Sequence, residues 1–172
     1  MIEIDVNKAD AMQNFCNQLK NKLDGAVVVC IGTEKVVADS LGPRVGSLLN
    51  ENMAFPLFVY GLQGANIHAQ NLAQAITVIK GLHPNAPLLV IDAAVGQASQ
   101  IGKIQLTKGN IAPGSATQKD LGVVGDVSIV GIVADKNMSS FYDNSCEKSI
   151  LVEKLSQFIA MGISIATKSN KV

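Results

Sequence analysis

The stretch Pro87-Leu88-Leu89-Val90-Ile91-Asp92-Ala93-Ala94 decides the predicted fold. Its apolar run is short and unbroken, which is typical of a strand buried on both faces of a parallel sheet. The run ends in a carboxylate, Asp92, which a buried strand does not need for packing. In open parallel sheets, ligands and chemistry lie at the carboxyl ends of the strands. We therefore expect Asp92 to face a functional crevice.

Predicted strands and helices alternate on both sides of this stretch. Strands are predicted at 25–32, 56–62, 88–93, 103–107 and 127–133, helices at 7–24, 40–49, 67–82 and 145–167, and a polar connection at 135–144. Strands that alternate with helices favour a parallel sheet covered on both faces. The sequence therefore predicts one α/β domain over residues 1–172, a three-layer α/β/α sandwich with a mostly parallel central sheet.

Composition supports this class and excludes some partners. Of the 172 residues 48% are hydrophobic, only 4% are aromatic and none is Trp, which fits an aliphatic α/β core. Lys plus Arg and Asp plus Glu number 14 each, so the formal net charge is zero. Binding to phosphate backbones or acidic membranes needs a basic surplus, so we expect neither nucleic acid nor a membrane as a partner.

The sequence predicts a cytoplasmic protein, because we expect no targeting signal and because the cysteine spacing favours reduced thiols. We expect no transmembrane helix, because no run of about 18 apolar residues is evident. We expect no signal peptide either, since the segment 1–5 lacks a basic region followed by an apolar one. Cys16, Cys30 and Cys146 are odd in number and widely spaced, which favours reduced thiols over a disulfide framework or a zinc site.

The expected order of the strands brings two carboxylates to one crevice. In a doubly wound sheet the first strand lies between the second and the third, and the loop after the first strand carries Asp39. The switch point of the sheet, where the strand order reverses, would then lie between the first and third strands, with Asp39 and Asp92 on either side of it. Two carboxylates that lie close together can share a proton and activate water, or they can chelate a divalent ion. The alternatives are a helix N-cap for Asp39 and, for Asp92, a carboxylate that accepts backbone N–H bonds from the loop after its strand.

Weaker candidates lie on the same rim or in loops. His68, near the start of the third predicted helix, is a candidate acid, base or ligand, or an ordinary first-turn residue. Ser115 follows Pro113-Gly114 without a G-x-S-x-G elbow, which argues against a serine nucleophile, and the N–H groups around Gly114 suit an oxyanion or simply a turn. We assign His68, Pro113, Gly114 and Ser115 to substrate binding, and we assign no function to His83.

The glycines do not form a phosphate-binding loop. Gly32-Thr33 and Leu41-Gly42-Pro43 match neither G-x-G-x-x-G nor G-x-x-x-x-G-K. We therefore expect these glycines to serve turns and close packing rather than a nucleotide.

Four elements together resemble the spore germination protease and, more closely, its short relatives, the YyaC-type sporulation proteins. They are Gly32-Thr33, Ala38-Asp39-Ser40-Leu41-Gly42-Pro43, Val90-Ile91-Asp92-Ala93-Ala94 and Ile111-Ala112-Pro113-Gly114-Ser115. The similarity covers residues 27 to 135. The wider group, which includes the hydrogenase maturation proteases, has a three-layer α/β/α fold of the phosphorylase/hydrolase-like kind, so the resemblance implies the same fold here.

The resemblance also implies roles for the aspartates. In the germination protease the aspartates of the D-x-L-G-P and I-D-A elements are the proposed catalytic acids, and they map onto Asp39 and Asp92. In hydrogenase maturation proteases, acidic residues at these two places hold nickel together with a histidine. Ala112 stands where the germination protease has a histidine, and His68 is the spare histidine on the correct rim. We expect no cofactor, with a divalent metal such as nickel as the alternative.

The implied function is that of a sporulation-associated peptidase in the cytoplasm of the mother cell or forespore. Its substrate would be a protein or peptide, with small acid-soluble spore proteins as candidates. Two alternatives remain open. One is a structural or binding protein of the spore that keeps a vestigial site, and the other is a metal-dependent maturation-type protease.

Overall fold

The central sheet is mostly parallel, and the strand of Asp92 lies in its interior. The computed structural model describes residues 1–109, 125–136 and 138–169. The strands are β1 (Ile2–Asp5), β2 (Val27–Cys30), β3 (Phe58–Tyr60), β4 (Leu88–Gly96), β5 (Lys103–Lys108) and β6 (Val127–Asp135). Within the described residues they form one six-stranded sheet in the order β1-β5-β6-β4-β2-β3.

Helices connect these strands. They are α1 (Ala11–Leu19), α2 (Leu41–Glu51), α3 (Leu72–Leu82), α4 (Met138–Phe141) and α5 (Cys146–Ser169), with short 3-10 turns at Ala38–Ser40 and Ala98–Gln100. The predicted amphipathic helix over 7–24 is shorter in the structure, where α1 is confined to nine residues. The helix predicted from residue 67 begins only at Leu72, because Ile67 instead pairs with Ile31 beside the end of β2.

Side-chain alternation in β2 and β4 sends apolar residues to both faces of the sheet. Val28 and Leu89 belong to a large core cluster with α1, α2 and α5, whereas Val29 and Val90 join a smaller cluster with α3. Both strands are therefore covered by helices on each face, as an unbroken apolar run predicts. The predicted α/β class and the three-layer α/β/α arrangement are confirmed.

The predicted order of the first three buried strands is also confirmed. β2 pairs in parallel with β3 on one side and with β4 on the other, and Cys30 lies opposite Ile91. β4 pairs in parallel with β6, while β5 is antiparallel to β6 and to β1. The switch point of the sheet therefore lies between β2 and β4, as the strand–helix–strand pattern predicts.

Two helices or strands are not predicted by the sequence pattern, and β4 extends further past its predicted end than any other strand. β1 pairs with β5 at the sheet edge, and its four residues are too few for a clear alternation. The polar connection after β6 contains the one-turn helix α4, whose Phe141 is buried. β4 continues to Gly96, four residues beyond Asp92, because β6 pairs with it after β2 has ended.

Helix α5 differs from the expectation that no segment is long and apolar enough to span a membrane. By length and composition alone its residues Cys146–Lys168 pass that test, and half of the most apolar window is buried inside the protein. Phe158 of α5 meets Phe15 of α1 edge to face, with ring centroids 5.5 Å apart. Arg44 of α2 forms a 2.6 Å ion pair with Glu153 of α5. These contacts are those of a core helix, which gives the same hydropathy signal as a membrane span.

The cysteines are free thiols, as their spacing predicts. Cys30 is fully buried in β2, and burial raises the pKa of its thiol far above the usual range. A thiol that does not ionise is a poor nucleophile, so Cys30 belongs to the core.

Candidate active site

At the switch point of the sheet, β2 ends while β4 continues. The backbone N–H of Ile31 donates to the carbonyl of Ile91 at 2.8 Å, which closes the parallel ladder. Beyond this bond the chain of β2 turns away at Gly32, and the next residue of β4 is Asp92. Asp92 is therefore the first residue of β4 after the last pair of the β2–β4 ladder, Cys30 and Ile91.

Asp92 is buried, with 5% of its surface exposed. Its neighbours Ile91 and Ala93 face the large cluster and Val90 faces the small one, so alternation places the Asp92 side chain on the α3 side. Its Oδ1 accepts the backbone N–H of Ala93 at 2.8 Å. The structural alternative for Asp92 is a carboxylate that accepts backbone N–H bonds from the loop after its strand. The donor observed here, Ala93, belongs to β4 itself.

Asp39 lies on the same rim, in the 3-10 turn that leads into α2. Its Oδ2 accepts the backbone N–H of Thr33 at 2.9 Å, and the same N–H lies 3.1 Å from the Asp39 carbonyl oxygen. The N-cap position of α2 is Ser40, without a side-chain cap. The N-cap alternative for Asp39 is therefore wrong, and its carboxylate instead holds the loop that follows β2.

Two glycines make this loop possible, as expected from their placement. Gly32 has a φ of +139°, and a β-carbon there would lie 2.0 Å from the Asp39 carbonyl oxygen. A β-carbon at Gly42 would lie 2.1 Å from the carbonyl oxygen of Ile31. The loop and the first turn of α2 therefore pack directly on the backbone at the end of β2, which brings Asp39 to the switch point.

His68 lies in the loop before α3, four residues ahead of the helix and not in its first turn. Its side chain is half-buried. The preceding residue, Ile67, pairs with Ile31, and its carbonyl oxygen accepts the N–H of Gly32 at 2.8 Å. His68 is therefore attached to the same loop that holds Asp39, which agrees with its predicted position on the rim.

The electrostatics of Asp39 combine three effects. Burial raises its pKa, while the Thr33 N–H bond and the positive charge of protonated His68 oppose that rise, and the net result is a raised pKa. A raised pKa keeps the proton of the carboxylic acid available closer to neutral pH. Asp39 is thus suited to donate a proton.

This shift predicts the pH dependence of an Asp39→Asn variant. A carboxyl whose folded-state pKa is raised favours the folded state only while protonated, so the wild type loses stability as pH rises from about 4, the unfolded value, through the folded value. The substituted amide keeps an oxygen for Thr33 and does not ionise. We expect the variant to gain relative to the wild type over this window and the difference to level off above it. Urea unfolding from about pH 3 to pH 7 measures this, and a pH-independent difference would contradict it.

The other sequence-predicted binding residues are Pro113, Gly114 and Ser115. They lie outside the described residues, so their assignment stays a prediction. The flanking Gly109 and Asp126 meet beside the start of β4, where the N–H of Asp126 donates to the carbonyl of Leu88. The start of β4 is the opposite end of the parallel strands from the end at which β2 stops and Asp92 follows.

Metal binding has a defined geometric requirement. Across the described residues, no group of three or more His, Cys, Asp or Glu side chains is arranged to hold a metal ion. Asp39, Asp92 and His68 therefore do not form such a group as they stand.

Two polar residues that hold the loops around the candidate site, Glu34 and Asn71, are not predicted from the sequence. Glu34 Oε1 accepts the N–H of Gly64 at 2.8 Å and the side-chain amide of Asn66 at 3.4 Å, which ties the loop after β2 to the loop after β3. Asn71 holds the His68 backbone in turn. Both are single polar residues in loops, and the sequence around Glu34 gives no sign of a partner 30 residues away.

His83 is engaged structurally, consistent with its lack of an assigned role. Its Nε2 lies 2.9 Å from the Tyr60 hydroxyl, and its ring lies 4.6 Å from that of Phe58, centroid to centroid. These contacts join the end of α3 to the edge strand β3.

Comparisons with known proteins place the chain in a family. It is 33% identical over 167 residues to the "Uncharacterized protein YyaC" of Bacillus subtilis (strain 168), covering 96% of this chain and 82% of that protein. The crystal structure of the [NiFe] hydrogenase maturation protease HycI from Thermococcus kodakarensis KOD1 is similar at 17% identity and a TM-score of 0.45, covering 81% of this chain and 92% of HycI. That likeness carries no conclusion about activity. Residues 3–162 match the family described as "Protein of unknown function (DUF1256)", and the chain belongs to this family.

Proposed function

We propose that the protein is a peptidase in which Asp39 and Asp92 activate water to hydrolyse a peptide bond. The observation that carries the proposal is the placement of both carboxylates at the switch point between β2 and β4. The switch point is the usual ligand site of an open α/β sheet. A carboxyl group buried as deeply as that of Asp92 costs folding free energy, and proteins retain such groups mainly where chemistry or binding needs them.

We assign the two carboxylates different roles. Asp92 acts as the base and takes a proton from a water molecule, while the oxygen of that water attacks the carbonyl carbon. Asp39, whose pKa is raised by burial, gives its proton to the leaving nitrogen as the C–N bond breaks. The proton on Asp92 then returns through solvent to Asp39. The products are an amine and a carboxylic acid, which then loses its proton to solvent, and no external oxidant or reductant is needed.

The biological setting follows from the motif resemblance and is part of the proposal. The protein would act during sporulation, in the cytoplasm of the mother cell or forespore, on protein or peptide substrates. Small acid-soluble spore proteins are the first substrates to test. The zero net charge gives no reason to expect nucleic acid as a partner.

The test is cleavage of small acid-soluble spore proteins and of a pooled peptide library by the wild type and by Asp92→Asn. We expect products from the wild type and none from the variant, with thermal unfolding used to show that the variant is folded. Equal cleavage by both would reveal a contaminant or another site. If neither cleaves, with or without added Ni²⁺ or Zn²⁺, the peptidase proposal is wrong, and a binding protein with a vestigial site becomes the better account.

A further inference from the structure

One side of helix α5 carries large apolar residues that face solvent. Ile150, Met161 and Ile165 are 63%, 56% and 41% exposed. They belong to a longer line of exposed residues on this helix, here named the α5 stripe: Glu147, Ile150, Lys154, Gln157, Met161, Ile165 and Lys168. At about 3.6 residues per turn these positions fall within roughly 80° of the helix surface. The stripe is therefore one continuous face of the helix and not a set of scattered side chains.

The α5 stripe is opposite to the side of the helix that packs on the sheet. Buried residues of α5, including Val152, Leu155 and Ile159, join the large core cluster. On the two flanks, Phe158 contacts α1 and Glu153 contacts α2. Helix α5 is thus the middle helix of a layer α1-α5-α2, and the stripe lies along the outer surface of that layer.

The spacing of the stripe matches that of helices that pack along each other. Its residues recur on average every 3.5 positions, as in left-handed helix pairs that cross at about 20° and stay in contact along their length. In an antiparallel pair of α5 helices centred on Gln157, Ile150 of one copy lies level with Ile165 of the other, and Lys154 lies level with Met161. Each exposed apolar residue of the stripe therefore meets an apolar side chain or the alkyl chain of a lysine.

The ends of the stripe carry opposite charges, which the same arrangement brings together. Glu147 lies in the first turn of α5 and Lys168 in the last. Within the described residues neither of them belongs to an ion pair. In the antiparallel pair Glu147 of each copy lies level with Lys168 of the other, so two symmetric ion pairs form. A parallel pair would place like charges side by side at both ends. Charge complementarity therefore favours a second copy in the antiparallel orientation.

A groove beside the stripe gives room for a side chain of the second copy. Its volume is about 460 Å³, and it runs between α2 and the first half of α5, lined by Arg44, Ser149, Ile150, Glu153, Lys154 and Gln157. Ile165 of the second copy, level with Ile150, would enter this groove. The outer surface of the layer covers about 700 Å², taking each helix as roughly 10 Å wide, which is near the ~800 Å² per partner of a stable interface.

We propose that the protein forms a two-fold symmetric dimer through the α5 stripe, with the two α5 helices antiparallel. The interface is isologous, since the same residues face each other from both copies. The inference goes beyond the proposed peptidase function and does not depend on it.

Sedimentation equilibrium of the full chain from about 1 to 100 μM, the range in which a dimer with a micromolar Kd assembles, measures the association. We expect a dimer for the wild type. Ile150→Lys puts two charges into the apolar part of the interface and should weaken the dimer at least about 100-fold. Val78→Lys adds the same charge at a similarly exposed position of α3, outside the stripe, and should leave the Kd unchanged.

Charge reversal tests the orientation of the two helices. In low-salt buffer Glu147→Lys and Lys168→Glu should each weaken the dimer about ten-fold, because each places like charges opposite one another twice. The variant with both changes should recover the wild-type Kd. A wild type that is monomeric up to about 100 μM would overturn the proposal. A dimer that persists in Ile150→Lys would also overturn it, because another surface would then join the copies, and single reversals without effect would overturn the antiparallel arrangement.

Discussion

Replacing Gly42 with alanine is expected to lower the free energy of unfolding by about 3 kcal/mol, at the upper end of the cost of overpacking. The new methyl carbon would lie 2.1 Å from the carbonyl oxygen of Ile31 and 2.8 Å from its nitrogen. Both neighbours are backbone atoms of a buried, hydrogen-bonded segment, so no side chain can rotate away. Helix α2 must move away from β2 to relieve the clash.

That movement should also affect the site. Asp39 lies three residues before Gly42, in the turn that enters α2, and its carboxylate is held by Thr33. A displaced helix start therefore separates Asp39 from the end of β2, and we expect cleavage activity to fall together with stability.

Gly81→Ala is the matched control for Gly42→Ala. Gly81 is also in a helix, α3, but a β-carbon there has nothing within 4 Å. Alanine is favoured over glycine in helices by about 0.5 to 1 kcal/mol, so this variant should be stabilised. Urea unfolding of both variants measures the difference. Equal stabilities for Gly42→Ala and the wild type would show that α2 does not pack on β2 as closely as described.

The sequence is sufficient to predict the buried part of the sheet. The apolar runs around Val28 and Val90 are strong signals, because a strand covered on both faces has no polar alternation to obscure it. Strand–helix–strand units connect with one hand, which limits the order of the strands and predicts that the loop carrying Asp39 follows a strand paired with the strand of Asp92. The parts of the site that depend on topology are therefore predictable.

The details of the site depend on contacts that a sequence pattern does not contain. The bond from Thr33 to Asp39 and the bond from Gln70 to His68 arise from local loop geometry. The extension of β4 beyond Asp92 depends on pairing with β6, a strand that follows much later in the chain. Long-range pairing of this kind overrides local propensity, and it explains why the start of α3 is predicted too early.

Replacing either Asp39 or Asp92 is expected to slow peptide cleavage strongly. If Asp92 takes the proton from water and Asp39 gives a proton to the leaving amine, each step needs the other residue. An asparagine at either position keeps the shape of the side chain but transfers no proton. We expect Asp39→Asn and Asp92→Asn each to lower the rate of cleavage by about 10³-fold, within the range for general acid–base groups.

Single-turnover cleavage of one peptide by the wild type, Asp39→Asn, Asp92→Asn and the double variant tests whether the two aspartates hydrolyse the peptide bond together. The effects of residues that act as a unit are strongly non-additive, so we expect the double variant to be no slower than the slower single variant. Losses that multiply to about 10⁶-fold would show that the two carboxylates act independently. A single variant that keeps the wild-type rate would contradict the claim that the switch point between β2 and β4 is the site of hydrolysis.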